Sequence, residues 1–275
     1  MTHKGTIVTI ASNKGGVGKT TTATCIAHLL SNSGNKVLFV DTDPQGNASE
    51  RFGLGADEHF RKNYLGALIL DRLRDEDDAI HNPISYYINS LPTFPNIDII
   101  TSDIRLDSVY AQMNTHAFSA LTMFKSIVQE IKEQDMYDYI IIDTRPALTT
   151  EVGSIFACSE HILLPLQAAN DSIEGAIATM KFIAKARSMN PDINIIGLFF
   201  NMIVDRTRAF QKLLGEVSNG LQDKICSTVV PRSQDVVNAE NDHKIVTSKY
   251  PSCKASKAFV KLLDELLERL ESEEK

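Results

Sequence analysis

The chain has 275 residues, is 43% hydrophobic and 23% charged, lacks Trp, and carries a formal net charge of -7. Those values support one large domain with a mostly aliphatic core and argue against a wholly basic nucleic-acid-coating protein, while leaving room for a local basic patch. The thiols Cys25, Cys158, Cys226 and Cys253 include no CxxC pair and no histidine at zinc-ligand spacing, so they read as scattered reduced cysteines.

The first apolar run, 7–11, is too short for a secretory h-region and leads straight into glycines. No stretch approaches the length of a membrane span. The expectation is a soluble intracellular protein with no membrane association and no separate DNA-reading domain ahead of the first strand. In chain order, strands are expected at 6–11, 36–41, 97–101, 139–143, 161–165, 195–201 and 227–230. Helical periodicity covers 19–33, 118–134, 173–189, 207–221 and 254–271. Continuous apolar strands alternating with helices predict an α/β fold, a doubly wound and mostly parallel sheet with helices on both faces. The segment 56–95, with its charge cluster at 71–78 and three prolines, reads as a variable helical and loop insertion within a single domain spanning 1–275.

The run Asn13-Lys14-Gly15-Gly16-Val17-Gly18-Lys19-Thr20-Thr21 lies between the first strand and the first helix. Gly15, Gly16 and Gly18 let backbone N–H groups close around phosphates, and the helix N-terminus faces the anion. Lys19 supplies charge for the β- and γ-phosphates, and the Thr20 hydroxyl is placed to ligate Mg²⁺. The strict P-loop pattern asks for glycine where Asn13 stands, and a second lysine, Lys14, sits inside the loop.

The second strand runs into Asp41-Thr42-Asp43-Pro44-Gln45-Gly46-Asn47. Acids at a strand's carboxyl end border the nucleotide crevice of an open α/β sheet. Asp41 and Asp43 share a side if the strand continues that far. One of the pair can organise the metal shell while the other orients the attacking water. The apolar run Tyr139-Ile140-Ile141-Ile142 closes on Asp143, the Walker B form, so Asp143 is expected to hold Mg²⁺ directly or through water.

Lys-Gly-Gly-Val-Gly-Lys-Thr-Thr resembles the deviant Walker A motif of the ParA/MinD family of ATPases, and Asp41 to Asn47 resembles the motif of its ParA (Soj-like) members. The resemblance extends to Leu164-Pro165-Leu166-Gln167-Ala168, Glu174-Gly175 and Val230-Pro231-Arg232-Ser233, and so covers most of the chain. It implies an ATP-dependent sandwich homodimer in which Lys14 reaches the partner's nucleotide. Lys14, Gly15, Gly16, Val17, Gly18, Lys19, Thr20 and Thr21 would bind ATP, with Asn201 and Pro231 near the adenine. Lys14, Lys19 and Asp43 would be the catalytic set, Asp43 positioning water, and Thr20, Asp41 and Asp143 the magnesium set. Arg145 departs from the family, which continues Walker B with two prolines; it could contact phosphate, a partner subunit or a regulator, or point to solvent, and the solvated reading is slightly favoured.

A MinD-like membrane cycle needs a terminal amphipathic helix with a basic polar face, whereas the last helix opposes its apolar stripe with Asp264, Glu265, Glu268 and Glu271. That stripe, Phe259, Leu262, Leu263, Leu266, Leu267 and Leu270, should pack on the sheet. A reductase like the nitrogenase iron protein needs paired cysteines, and Cys158 is alone after Walker B. The remaining resemblance, to ParA partition ATPases, implies a cytoplasmic, nucleoid-associated protein that binds DNA non-specifically and hydrolyses ATP slowly when stimulated by a ParB-like centromere-binding partner. Candidate phosphate contacts are Arg206, Arg208, Lys212, Arg232, Lys244, Lys249, Lys254 and Lys257, or these form an ordinary solvated face. A positioning or regulatory ATPase carrying a protein cargo, and a non-hydrolysing nucleotide-binding module, stay open as alternatives.

Overall fold

The computed structural model describes residues 4–54, 63–74, 81–204 and 222–273. Its centre is an eight-stranded sheet of order β3-β4-β2-β5-β1-β6-β7-β8. The strands are β1 (Thr6–Ile10), β2 (Val37–Asp41), β3 (Asn89–Ser90), β4 (Ile97–Ile100), β5 (Tyr139–Asp143), β6 (His161–Leu166), β7 (Asn194–Ile203) and β8 (Ile225–Pro231). Every pairing is parallel except that of β3, which lies antiparallel on the edge beside β4.

The described helices are α1 (Lys19–Asn32), α2 (Asn47–Arg51), α3 (Leu65–Arg72), α4 (Leu106–Thr115), α5 (Ala117–Glu133), α6 (Thr150–Cys158), α7 (Asn170–Ala186), α8 (Gln234–Asn241), α9 (Val246–Lys249) and α10 (Lys254–Glu273). The expected helix at 207–221 lies outside the described residues. In the segment 56–95, the described parts form α3, a single 3₁₀ turn at Ile84–Tyr87, and β3.

The apolar runs are continuous because both faces of the sheet are buried, and the period-two alternation sorts side chains between two cores. Val37, Phe39, Tyr139 and Ile141 face one core with α1 and α10, whereas Leu38, Val40, Ile140 and Ile142 face the other with α3, α4 and α5. A third cluster joins Ile162, Leu164 and Phe200 to α6 and α7. The α10 stripe packs as expected: Phe259, Leu262, Leu266 and Leu270 are buried in the first core, against α1 and β8. Among the described residues, no helix is long and apolar enough to cross a membrane. Burial pushes the thiols of Cys25, Cys158 and Cys226 up to about 12, which suits packing rather than redox chemistry.

Candidate functional site: a phosphate loop beside buried carboxylates

The site forms where β1, β2 and β5 end side by side. Register aligns Ile10 with Asp143 and Asp41 with Asp143. Two threonines stitch these ends together. The Thr42 hydroxyl donates to the Asp143 carbonyl at 2.6 Å, and the Thr144 hydroxyl donates to the Ile10 carbonyl at 2.9 Å. Each threonine directly follows one of the buried acids, and neither carried a signal in sequence beyond that position.

From Ile10 the chain enters the glycine loop and reaches α1 through Gly18, whose φ of 89° is left-handed. A Cβ there would lie 2.3 Å from Asn201 Nδ2, so glycine is required by both conformation and space. Asn201 Nδ2 donates to the Val17 carbonyl at 2.9 Å, and Gln167 Nε2 donates to the Gly16 carbonyl at 2.8 Å. Cβ atoms on Gly15 and Gly16 would meet nothing within 4 Å, which leaves the concave side of the loop open. Asn13, the departure from the strict pattern, packs against α7: its N–H donates to the Thr179 hydroxyl, and a Cβ on Gly175 would sit 2.7 Å from its Oδ1. That close approach explains the glycine of Glu174-Gly175.

Lys19 is buried, with Nζ donating to the Lys14 carbonyl at 3.2 Å. Burial lowers its pKa, and the charges of Asp143 and Asp43 oppose that shift. Lys14 Nζ, by contrast, pairs within its own chain with Asp171 at the start of α7, 2.5 Å away. The Asp171 side chain is 69% exposed, so the pair is loosely held.

Asp143 is fully buried, and neither carboxylate oxygen has a hydrogen-bond partner. Burial, then the neighbouring Asp41 charge, pushes its pKa up to about 8, with the nearby Thr20 hydroxyl pulling the other way. Asp41 is also fully buried but satisfied: Oδ2 accepts from the Ser49 N–H at 2.9 Å and hydroxyl at 2.8 Å, and Oδ1 from the Asp43 N–H at 3.2 Å. Burial still raises it to about 6. The strand therefore stops at Asp41, and the expected continuation that would align Asp41 with Asp43 does not occur. The Asp41 carboxylate draws the Asp43 N–H into a turn, and Gly46, at φ 65°, completes it. Asp43 is 9% exposed, its Oδ1 accepting from the Gln45 N–H at 3.0 Å.

A cavity of about 600 Å³ adjoins the loop, lined by Thr21, Asn201, Pro231, Arg232, Val236 and Glu240 among others. Asn201 and Pro231 thus border one cavity, and Asn201 also braces the loop. Arg232 belongs to this cavity wall as well. Arg145 is not a freely solvated residue. Its Nη1 donates to Asp107 Oδ1 at 3.0 Å and to Glu151 Oε1 at 3.4 Å. Glu151 is only 2% exposed, and a buried carboxylate demands such a countercharge.

Of the other basic candidates, Arg206, Arg208 and Lys212 lie outside the described residues. Lys249 is paired with Asp242, and Lys244 is exposed. Lys254 and Lys257 line a shallow depression of about 460 Å³ together with Lys261, which sequence reasoning missed although spacing of three and four residues along one helix face was readable.

The family model described as the AAA domain matches residues 5–195. The Soj sporulation initiation inhibitor protein of Bacillus subtilis is 30% identical over 95% of this chain and 98% of its own. The chromosome partitioning protein ParA of Caulobacter vibrioides is 28% identical over 96% and 94%. In fold, the chain is similar to apo McdA of Cyanothece, with TM-score 0.81, 23% identity and coverage of 96% and 99%. It is also similar to the cell division ATPase MinD of Pyrococcus furiosus, with TM-score 0.72, 21% identity and coverage of 96% and 99%. With its second loop lysine in place and these relatives matching nearly its whole length, the chain belongs to the AAA domain family and, within it, to the ParA/MinD superfamily of deviant Walker A ATPases.

Proposed function

We propose that this protein is an ATP- and Mg²⁺-dependent switch for DNA partition. ATP closes a homodimer, the dimer holds nucleoid DNA in the cytoplasm without sequence preference, and a ParB-like partner stimulates slow hydrolysis to ADP and phosphate. The observation that carries the nucleotide part is the pair of unpartnered, fully buried Asp143 oxygens beside the glycine loop and Lys19. Buried carboxylate oxygens without partners are costly, and a cation is the natural compensation.

The residues present fit a magnesium ion. Asp143 and the Thr20 hydroxyl are the hard oxygen donors on offer, and Asp41, already accepting from Ser49 and the Asp43 N–H, would act through the surrounding network. Such an ion would neutralise charge on β- and γ-phosphate oxygens. Around it, Gly15 to Thr21 would wrap the phosphates, Lys19 would stabilise their charge, and Asp43 would orient the attacking water. Asn201 and Pro231 would border the base. Lys14 would serve the partner's nucleotide after leaving Asp171, an exchange made inexpensive by the exposure of that pair.

Partition is supported by the relative named as chromosome partitioning protein ParA. DNA contact is supported by Lys254, Lys257 and Lys261, which line one depression on α10, the first two in its first turn, where the helix dipole disfavours cations. The test is retention on non-specific DNA. The wild type should be retained with ATP and released with ADP, and Asp43→Ala should stay retained because it binds ATP without turnover. Equal retention with both nucleotides would rule the switch out.

A further inference from the structure

A side-chain ring ties the phosphate loop to two elements distant in sequence. The Thr21 hydroxyl donates to Glu240 Oε1 at 2.6 Å. Arg51 forks across both, Nη1 to Thr21 Oγ1 at 2.9 Å and Nη2 to Glu240 Oε1 at 2.9 Å. One hydroxyl thus donates and accepts at once, which locks its rotamer. The arginine side chain is 12% exposed and the glutamate 33%, so the ion pair is partly shielded from solvent.

Each member sits on a different element. Thr21 lies in the first turn of α1, with Lys19 and Thr20. Arg51 closes α2, the short helix whose Ser49 holds Asp41. Glu240 belongs to α8, which walls the 600 Å³ cavity through Val236 and Val237. A second, exposed tie joins the same helices' neighbourhood: His243 Nδ1 lies 3.0 Å from Glu50 Oε2.

We infer that Arg51 and Glu240 are positioning residues that couple filling of the cavity beside the loop to placement of the Asp41–Asp43 turn, acting through Thr21. The inference rests on the nucleotide reading of that cavity. Arg51 should affect turnover rather than ADP affinity, because it belongs neither to the loop nor to the cavity wall, whereas Glu240 lines the cavity and its loss should lower both. An arginine is needed because two nitrogens must reach two acceptors in one plane, which a lysine cannot reproduce.

The test combines single-turnover ATP hydrolysis, ADP affinity and thermal unfolding for the wild type, Arg51→Met, Glu240→Met and the double variant. Each single change should slow hydrolysis about five- to tenfold, with the ADP affinity of Arg51→Met within about twofold of the wild type, and the double should be no slower than the slower single, as for residues acting as one unit. If Glu240→Met does not fold, Glu240→Leu carries the same expectation, whereas Glu240→Gln, whose Oε1 can still accept from both Thr21 and Arg51, should stay near the wild-type rate. Wild-type hydrolysis rates in folded Met or Leu variants with lowered melting temperatures, or multiplicative effects in the double, would overturn the coupling. Failure of the wild type to bind ADP at all would instead overturn the nucleotide reading beneath it.

Discussion

Asp41 and Asp143 are register partners on adjacent parallel strands, both fully buried, one hydrogen-bonded by Ser49 of α2 and the other without a hydrogen bond. The arrangement stores an electrostatic cost in the nucleotide-free protein. A carboxyl raised to about 8 in the folded state is protonated in both states below the unfolded value. As pH rises, the unfolded chain ionises first, so stability falls until the folded group also ionises. Asp143→Asn should therefore raise the melting temperature of the nucleotide-free protein by at least about 2–4 °C at pH 8, the shift expected for roughly 1 kcal/mol, and by little at pH 4. The same variant should lose ATP hydrolysis. Calorimetry across pH checks the first outcome, and an unchanged melting temperature at pH 8 would contradict it.

Gly18→Ala combines a left-handed φ of 89° with a Cβ 2.3 Å from the Asn201 amide. The strain alone should cost about 1 kcal/mol or more. Nucleotide affinity should fall further, because Asn201 can no longer hold the Val17 carbonyl. Asn201→Ala at unchanged Gly18 should weaken nucleotide binding with a smaller loss of stability. Isothermal titration with ADP and thermal unfolding separate the two effects.

The central strands were readable because parallel strands buried on both faces leave unbroken apolar runs, as Ile140 to Ile142 does. The phosphate loop and the two acid motifs were readable because their spacing is local. β3 was not, since Asn89 and Ser90 form a two-residue edge pairing within a polar segment. Short helices such as α2 and α9 offer too few turns for a periodic signal. The interactions that brace the site were illegible for another reason. Arg51 and Glu240 are 189 positions apart, and only the topology that sets α8 beside α2 brings them together. Arg145 looked solvated until α4 and α6 supplied Asp107 and Glu151.

The basic face of α10 makes a quantitative prediction for DNA binding. Replacing Lys254, Lys257 and Lys261 by Ala should weaken binding uniformly across sequences. It should also flatten the slope of log affinity against log salt by about 0.9 for each duplex phosphate that the variant no longer neutralises. Lys249→Ala should change the slope less, because Asp242 already neutralises that ammonium. Fluorescence anisotropy on two unrelated duplexes over a salt series measures both. A change confined to one duplex would point to sequence readout instead.

Lys14 is held in its own chain by Asp171, yet in the proposed dimer it serves the partner's nucleotide. Mixing Lys14→Ala with Asp43→Ala tests that assignment directly, because each variant alone should be inactive. In a mixed dimer, the Lys14→Ala subunit keeps its own Asp43 and receives Lys14 from its partner. Random pairing makes half the dimers mixed with one complete site each, so an equimolar mixture should recover about a quarter of wild-type ATP turnover. Recovery near that level is the predicted result; turnover no greater than the sum of the two separate variants would contradict a lysine acting across the interface.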